Sequence, residues 1–134
     1  MNTDFLKVYD LAKDREYIER IQKATVEGTE LALRTDWGLF GSAKWWAAIR
    51  DGTLPTRRLE GAITRVGRSP VSDWPDFEVE SEGGRSTWAL EGDLAMYRVG
   101  KRVRIEYVTQ RYQKPLPGSG NESTRAVLGI WVER

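Results

Sequence analysis

Apolar positions recur at spacings of three and four along the first third of the chain and at spacings of two along the rest. The sequence therefore reads as helices followed by strands. Phe5, Leu6 and Tyr9 share one face of a short opening helix that Thr3 would cap. From Asp14 to Arg34, the residues Tyr17, Ile18, Ile21, Thr25, Gly28, Leu31 and Ala32 form one helical stripe. Acids four residues ahead of bases flank it (Glu16–Arg20, Glu19–Lys23, Glu30–Arg34), the favourable order. Gly28 weakens this helix by about 1 kcal/mol relative to alanine and leaves room for a break or a tight crossing. Ser42 then caps a helix over Ala43–Asp51, which Gly52 stops and Pro55 keeps from resuming. Its adjacent Trp45 and Trp46 project about 100° apart, so one enters a core while the other faces elsewhere.

From Arg57 the period becomes two. Leu59, Gly61 and Ile63 alternate with Glu60, Ala62 and Thr64 in a first strand, and Gly67 to Pro75 is a turn-rich loop. The sharpest local signal is a hairpin with a Gly83-Gly84 turn. It sets Val79 opposite Trp88, Phe77 opposite Leu90, and Glu82 opposite Arg85. Apolar residues then fall on one face and acids on the other. Glu91 to Val99 is a loop or helical turn. Lys101 to Tyr112 is a long strand with Val103, Ile105 and Tyr107 inward, and the Pro- and Gly-rich Lys114 to Glu122 is a connection. Thr124 to Glu133 is apolar on both sides, as a strand covered on both faces would be.

These elements predict an α+β fold in one domain over residues 1–134. A helical region of two or three helices (residues 1–56) packs on a small, mostly antiparallel five-stranded β-barrel (57–134). In strand count and order the barrel resembles the OB-fold, which binds oligonucleotides over its second and third strands and the adjacent loops.

Composition narrows the chemistry. The 134 residues contain no histidine and no cysteine. The chain therefore supplies no Ser-His or Cys-His pair, no thiolate or imidazole metal ligand and no disulfide. No cofactor and no metal site is expected. Apolar residues make up 40% and charged residues 31%, values that suit a globular core. A formal net charge of +1 gives no global field that announces nucleic acid or an anionic membrane. No apolar stretch approaches the roughly 20 residues that span a bilayer. The polar Met1-Asn2-Thr3-Asp4 opening differs from a signal peptide, so the cytoplasm is the expected setting.

Two features carry the candidate contacts. The first is the indoles. Trp88 and Trp131 sit at strand positions that read as core, whereas Trp74 and one of Trp45 and Trp46 are candidates for a surface role. The second is a basic run of Arg98, Lys101, Arg102, Arg104, Arg111 and Lys114 against Glu106 alone. It could follow a phosphate backbone, but the plainer reading is a solvated strand face whose arginines pair with neighbours such as Glu60. Glu78, Glu80 and Glu82 would repel phosphates where an OB-type barrel binds them. They also step about 6–7 Å apart along a strand, too far to converge on one ion.

The expected function is a non-enzymatic binding protein that recognises a protein partner or itself. Its tentative contacts are Trp45, Trp46, Trp74, Arg68, Arg102, Arg104, Arg111 and Lys114. The alternative is a nucleic-acid-binding barrel using Arg68, Trp74, Arg102, Arg104, Arg111 and Lys114. A third reading is an enzyme that works through carboxylates, which lacks the apolar pocket needed to raise one carboxyl pKa.

Overall fold

The computed structural model describes residues 4–68 and 75–134. Among the described residues, six strands and two α-helices are formed: β1 (Phe5–Asp10), α1 (Arg15–Glu27), α2 (Ala43–Asp51), β2 (Arg57–Arg68), β3 (Pro75–Ser81), β4 (Gly84–Ala89), β5 (Arg102–Arg111) and β6 (Ser123–Glu133). The strands form one open antiparallel sheet in the order β1-β6-β5-β2-β3-β4, with β1 and β4 at its edges. This corrects the five-stranded closed barrel, and with it the OB-like architecture.

The sixth strand comes from the segment read as an opening helix. Phe5-Leu6-Lys7-Val8-Tyr9 holds two aromatics and a valine, residues that suit a pleated surface, and one turn of helix is too short to stand alone. It pairs with β6 from Phe5↔Glu133 to Asp10↔Gly129, with a register shift between Lys7 and Tyr9. β6 thus lies between two neighbours, β1 and β5.

Both helices end where their caps dictate. The Asp14 carboxylate accepts from the Tyr17 N–H at the start of α1, and Gly28 caps that helix in the left-handed conformation after Glu27, seven residues short of the expected stop at Arg34. The Ser42 hydroxyl accepts from the Trp45 N–H, and Gly52 closes α2. The segment after α1 is pinned without helix: Leu33 N–H donates to the buried Thr25 hydroxyl, and Arg34 N–H to the Arg111 carbonyl.

The β3–β4 hairpin forms with Phe77 opposite Trp88 and Val79 opposite Ser86. The turn is therefore Glu82-Gly83, not Gly83-Gly84. Each partner moves by two residues, and because side chains alternate with period two, Phe77, Val79 and Trp88 keep the buried face and Glu80 the other, while Glu82 falls in the turn and Leu90 outside the strand. A primed turn needs positive φ at its first central residue or at both, yet here Glu82 and Gly83 lack it and Gly84, just past the turn, carries it (φ 107°).

The chain groups into two compact units. The first comprises residues 1–10, 58–106 and 129–134, and the second residues 11–57 and 107–128. In the first unit, Ile63, Phe77, Val79, Val103, Ile105, Ile130 and Val132 are almost wholly buried. Tyr97 packs on Phe77 with ring centroids 4.8 Å apart and donates its hydroxyl to the Glu91 carbonyl at 2.7 Å. Burial pushes the Tyr97 phenol pKa well above its ordinary value. In the second unit the core is Leu11, Ile21, Phe40, Trp45, Leu54 and Val108, together with the polar Gln110. Tyr107, expected inward, is half-buried, and the buried phase moves to Val108 and Gln110. An extra residue in a strand has this effect.

Candidate functional site

In the second unit a row of rings leads from the core to the surface. Tyr17 meets Phe40 edge-on at 6.0 Å, Phe40 meets Trp45 at 4.6 Å, and Trp45 meets Trp46 at 4.9 Å with the planes nearly perpendicular. Trp45 is 0% exposed, and its indole N–H donates to the side-chain Oε1 of Gln110 at 2.7 Å. A buried indole needs such a partner. Trp46 is half-buried and borders a groove of about 240 Å³ with Arg15, Ile18, Glu19, Gln22 and Gly41. The adjacent indoles therefore divide their roles as helical geometry requires: one anchors and the other is displayed.

The groove's wall depends on glycine. Gly41 has φ 74°, and a Cβ there would lie 2.5 Å from Ile18 Cγ2, so the turn before α2 approaches α1 closely only without a side chain. Gln22 Nε2 donates to the Phe40 carbonyl at 2.8 Å and ties the two segments together. Ligand pockets usually hold about 300–1,000 Å³; a groove of about 240 Å³ suits protruding side chains of a protein better than a cofactor.

The basic run is divided between the units. In the first, the Arg104 guanidinium pairs with Glu60 and lies over the Phe5 ring at 4.9 Å. This is the strand-face pairing expected from sequence, since β5 and β2 are neighbours. Arg102 is exposed and makes no ion pair among the described residues. In the second unit, Arg111 faces Glu122 at 3.7 Å with both side chains largely exposed, and Lys114 is exposed beside Gln113 and Pro115 on a separate groove. Trp74 and the side chain of Arg68 lie outside the described residues.

The acidic hairpin face is partly self-neutralised. Arg85 meets Glu80 at 3.1 Å and Glu78 at 3.7 Å, and Glu78 also accepts from the Thr64 hydroxyl at 2.8 Å. No cluster of side chains able to hold a metal occurs among the described residues. In the second unit, burial lowers the pKa of the Arg125 guanidinium, which lies near Tyr107.

A surface that pattern reading missed lies on the first unit's sheet. Trp131 was expected in the core, but Ile130 and Val132 are the buried residues of that stretch and Trp131 is half-buried on the other face. Lys7, its cross-strand partner, lies over its ring at 4.9 Å. Phe5 shares this face two pairs further along, opposite Glu133. No pattern marked this face, because β6 is apolar on both sides.

Residues 5–133 match the family model described as Immunity protein RhsI2. The chain belongs to this family. No curated protein matches it. Membership in an immunity-protein family makes the chain a non-enzymatic protein-interaction module that works through aromatic and charged surface residues, and it sets aside both nucleic-acid binding and carboxylate catalysis. No helix among the described residues is long and apolar enough to cross a membrane.

Proposed function

We propose that this chain confers immunity by binding a toxin polypeptide directly and covering a surface the toxin needs, with Trp46 as the central contact. Membership in an immunity-protein family supports the toxin as partner. The observation that carries the contact assignment is the division of labour in α2: Trp45 is locked in the core by Gln110, and Trp46 is held beside the groove in a fixed orientation. Interface energy concentrates in rigid Trp, Tyr and Arg side chains whose conformational freedom is already lost. Trp45 acts in this scheme through Trp46. Arg111 and Lys114 are supporting contacts at the margin, where exposed charges steer encounter more than they hold the complex. Trp74 and Arg68 stay on the list of candidate contacts. A cytoplasmic setting belongs to the same proposal, supported by a composition that needs no disulfides.

The test begins with growth rescue. Candidate toxins from the same genome are expressed singly with and without this chain, and the rescued toxin is then titrated against purified protein. The wild-type chain forms a tight complex with it. Trp46→Ala weakens that complex by about 30-fold, the range of a hot-spot truncation, and leaves the unfolding midpoint nearly unchanged. A Trp46→Ala variant that binds and rescues as well as the wild type contradicts the contact assignment. Failure of the chain to bind any toxin it rescues contradicts direct binding.

A further inference from the structure

The outer face of the first unit's sheet has a charge pattern that selects its partner. Six carboxylates in strands of the described residues lie on or beside this face, and all are engaged, Glu78 and Glu80 by the single Arg85 of the hairpin. Glu60 is held by Arg104, Glu106 by Arg58 and Asp10 by Lys7, while Glu133 accepts the backbone N–H of Arg102 at 3.0 Å. The cations are not all matched. Arg102 has an exposed side chain, and with Arg98 and Lys101 on the turn entering β5 it forms a group that makes no ion pair among the described residues.

Aromatic surface adjoins this charge. The Arg102 backbone is hydrogen-bonded to the Glu133 side chain, and Glu133 stands opposite Phe5. Two pairs further on, Trp131 stands opposite Lys7 on the same face. Phe5 and Trp131 are half-buried, each with a cation over its ring at 4.9 Å. Arginine beside fixed aromatic rings is the composition of energetic centres in interfaces.

We infer that this face is a second docking surface, and that it takes an acidic segment of the toxin whose carboxylates meet Arg102 and the neighbouring cations. The inference rests on the toxin-binding reading above and adds the chemistry of the partner. Charge complementarity at the Arg102 end of this face favours an acidic partner over a basic one, because Arg98, Lys101 and Arg102 make no ion pair among the described residues. Arg102 suits the contact because its guanidinium can grip a carboxylate with two parallel hydrogen bonds.

The test uses the full chain and the rescued toxin, with Arg102→Glu and Trp46→Ala measured side by side at several salt concentrations. The Arg102 side chain is exposed and makes no ion pair among the described residues, and its hydrogen bond to Glu133 uses the backbone N–H, so Arg102→Glu is expected to fold as the wild type does. Arg102→Glu is expected to weaken the complex at least tenfold and to flatten its salt dependence. A toxin variant with one acidic surface residue changed to lysine restores its binding. If Arg102→Glu binds within twofold of wild type with the same salt response, while Trp46→Ala is weakened, the acidic-partner inference is overturned and the toxin-binding reading stands. If Arg102→Glu is weakened and Trp46→Ala is not, the sheet face is upheld and the groove beside Trp46 is not the contact.

Discussion

The two units display aromatic side chains by different physical means. In the second, Trp46 is presented because its neighbour is sunk: Trp45 is fully buried, hydrogen-bonded to Gln110 and stacked against Phe40. In the first, Phe5 and Trp131 lie on a sheet face and are covered by cations, among ion pairs whose side chains are partly in water. A buried large side chain is worth several kcal/mol, whereas an exposed ion pair is worth about 0–1 kcal/mol. The same task of holding a ring in place therefore draws on the fold's stability in one region and hardly touches it in the other. Substitutions should separate accordingly.

The largest effect is expected at Trp45. Trp45→Ala empties a core site and strands the Gln110 amide, and it should destabilise the chain by about 3–5 kcal/mol in urea unfolding. A loss below about 1 kcal/mol would mean that the ring row does not support α2. Gly41→Ala comes next. It combines a left-handed backbone with a Cβ 2.5 Å from Ile18 Cγ2, so a stability loss of about 1–3 kcal/mol and weaker toxin binding should appear together.

A pH scan distinguishes the units in another way. The Tyr97 phenol is protonated and buried in the fold, with its pKa raised above the ordinary 10.0. Its contribution is complete below that value and is lost as pH rises toward the raised pKa of the folded state. Stability should fall above pH 10 by up to about 1.4 kcal/mol per pH unit. Tyr97→Phe should remove this slope, and a slope unchanged by the substitution would assign it to other groups. The smallest effect is expected on the sheet face. Arg58→Ala breaks an exposed pair with Glu106 and should change stability by less than about 1 kcal/mol, measured by thermal unfolding.

Local signals were legible in the sequence where both the residue type and its partner lie nearby. Ser42 and Gly52 bound α2 as read, and the hairpin kept Phe77 and Trp88 on one face despite its shifted turn. What failed was non-local. Phe5-Leu6-Lys7-Val8-Tyr9 fits one helical turn or one strand equally well, and only β6, more than a hundred residues away, decides between them. Closure of a sheet likewise depends on whether its edges meet, which no window of sequence records. The candidate site divides in the same manner. That one of Trp45 and Trp46 would be displayed followed from helix geometry, and the Glu60–Arg104 pair followed from strand adjacency. The sheet-face aromatics were missed because a strand apolar on both sides gives no sign of which face is uncovered.

The central claim is that a toxin sits on the groove beside Trp46, and hydrogen exchange of the chain with and without the rescued toxin tests it most directly. Protection is predicted in the Arg15–Gln22 stretch of α1 and in Gly41–Trp46. Unchanged exchange there, with protection confined to other segments of a saturated complex, would contradict it.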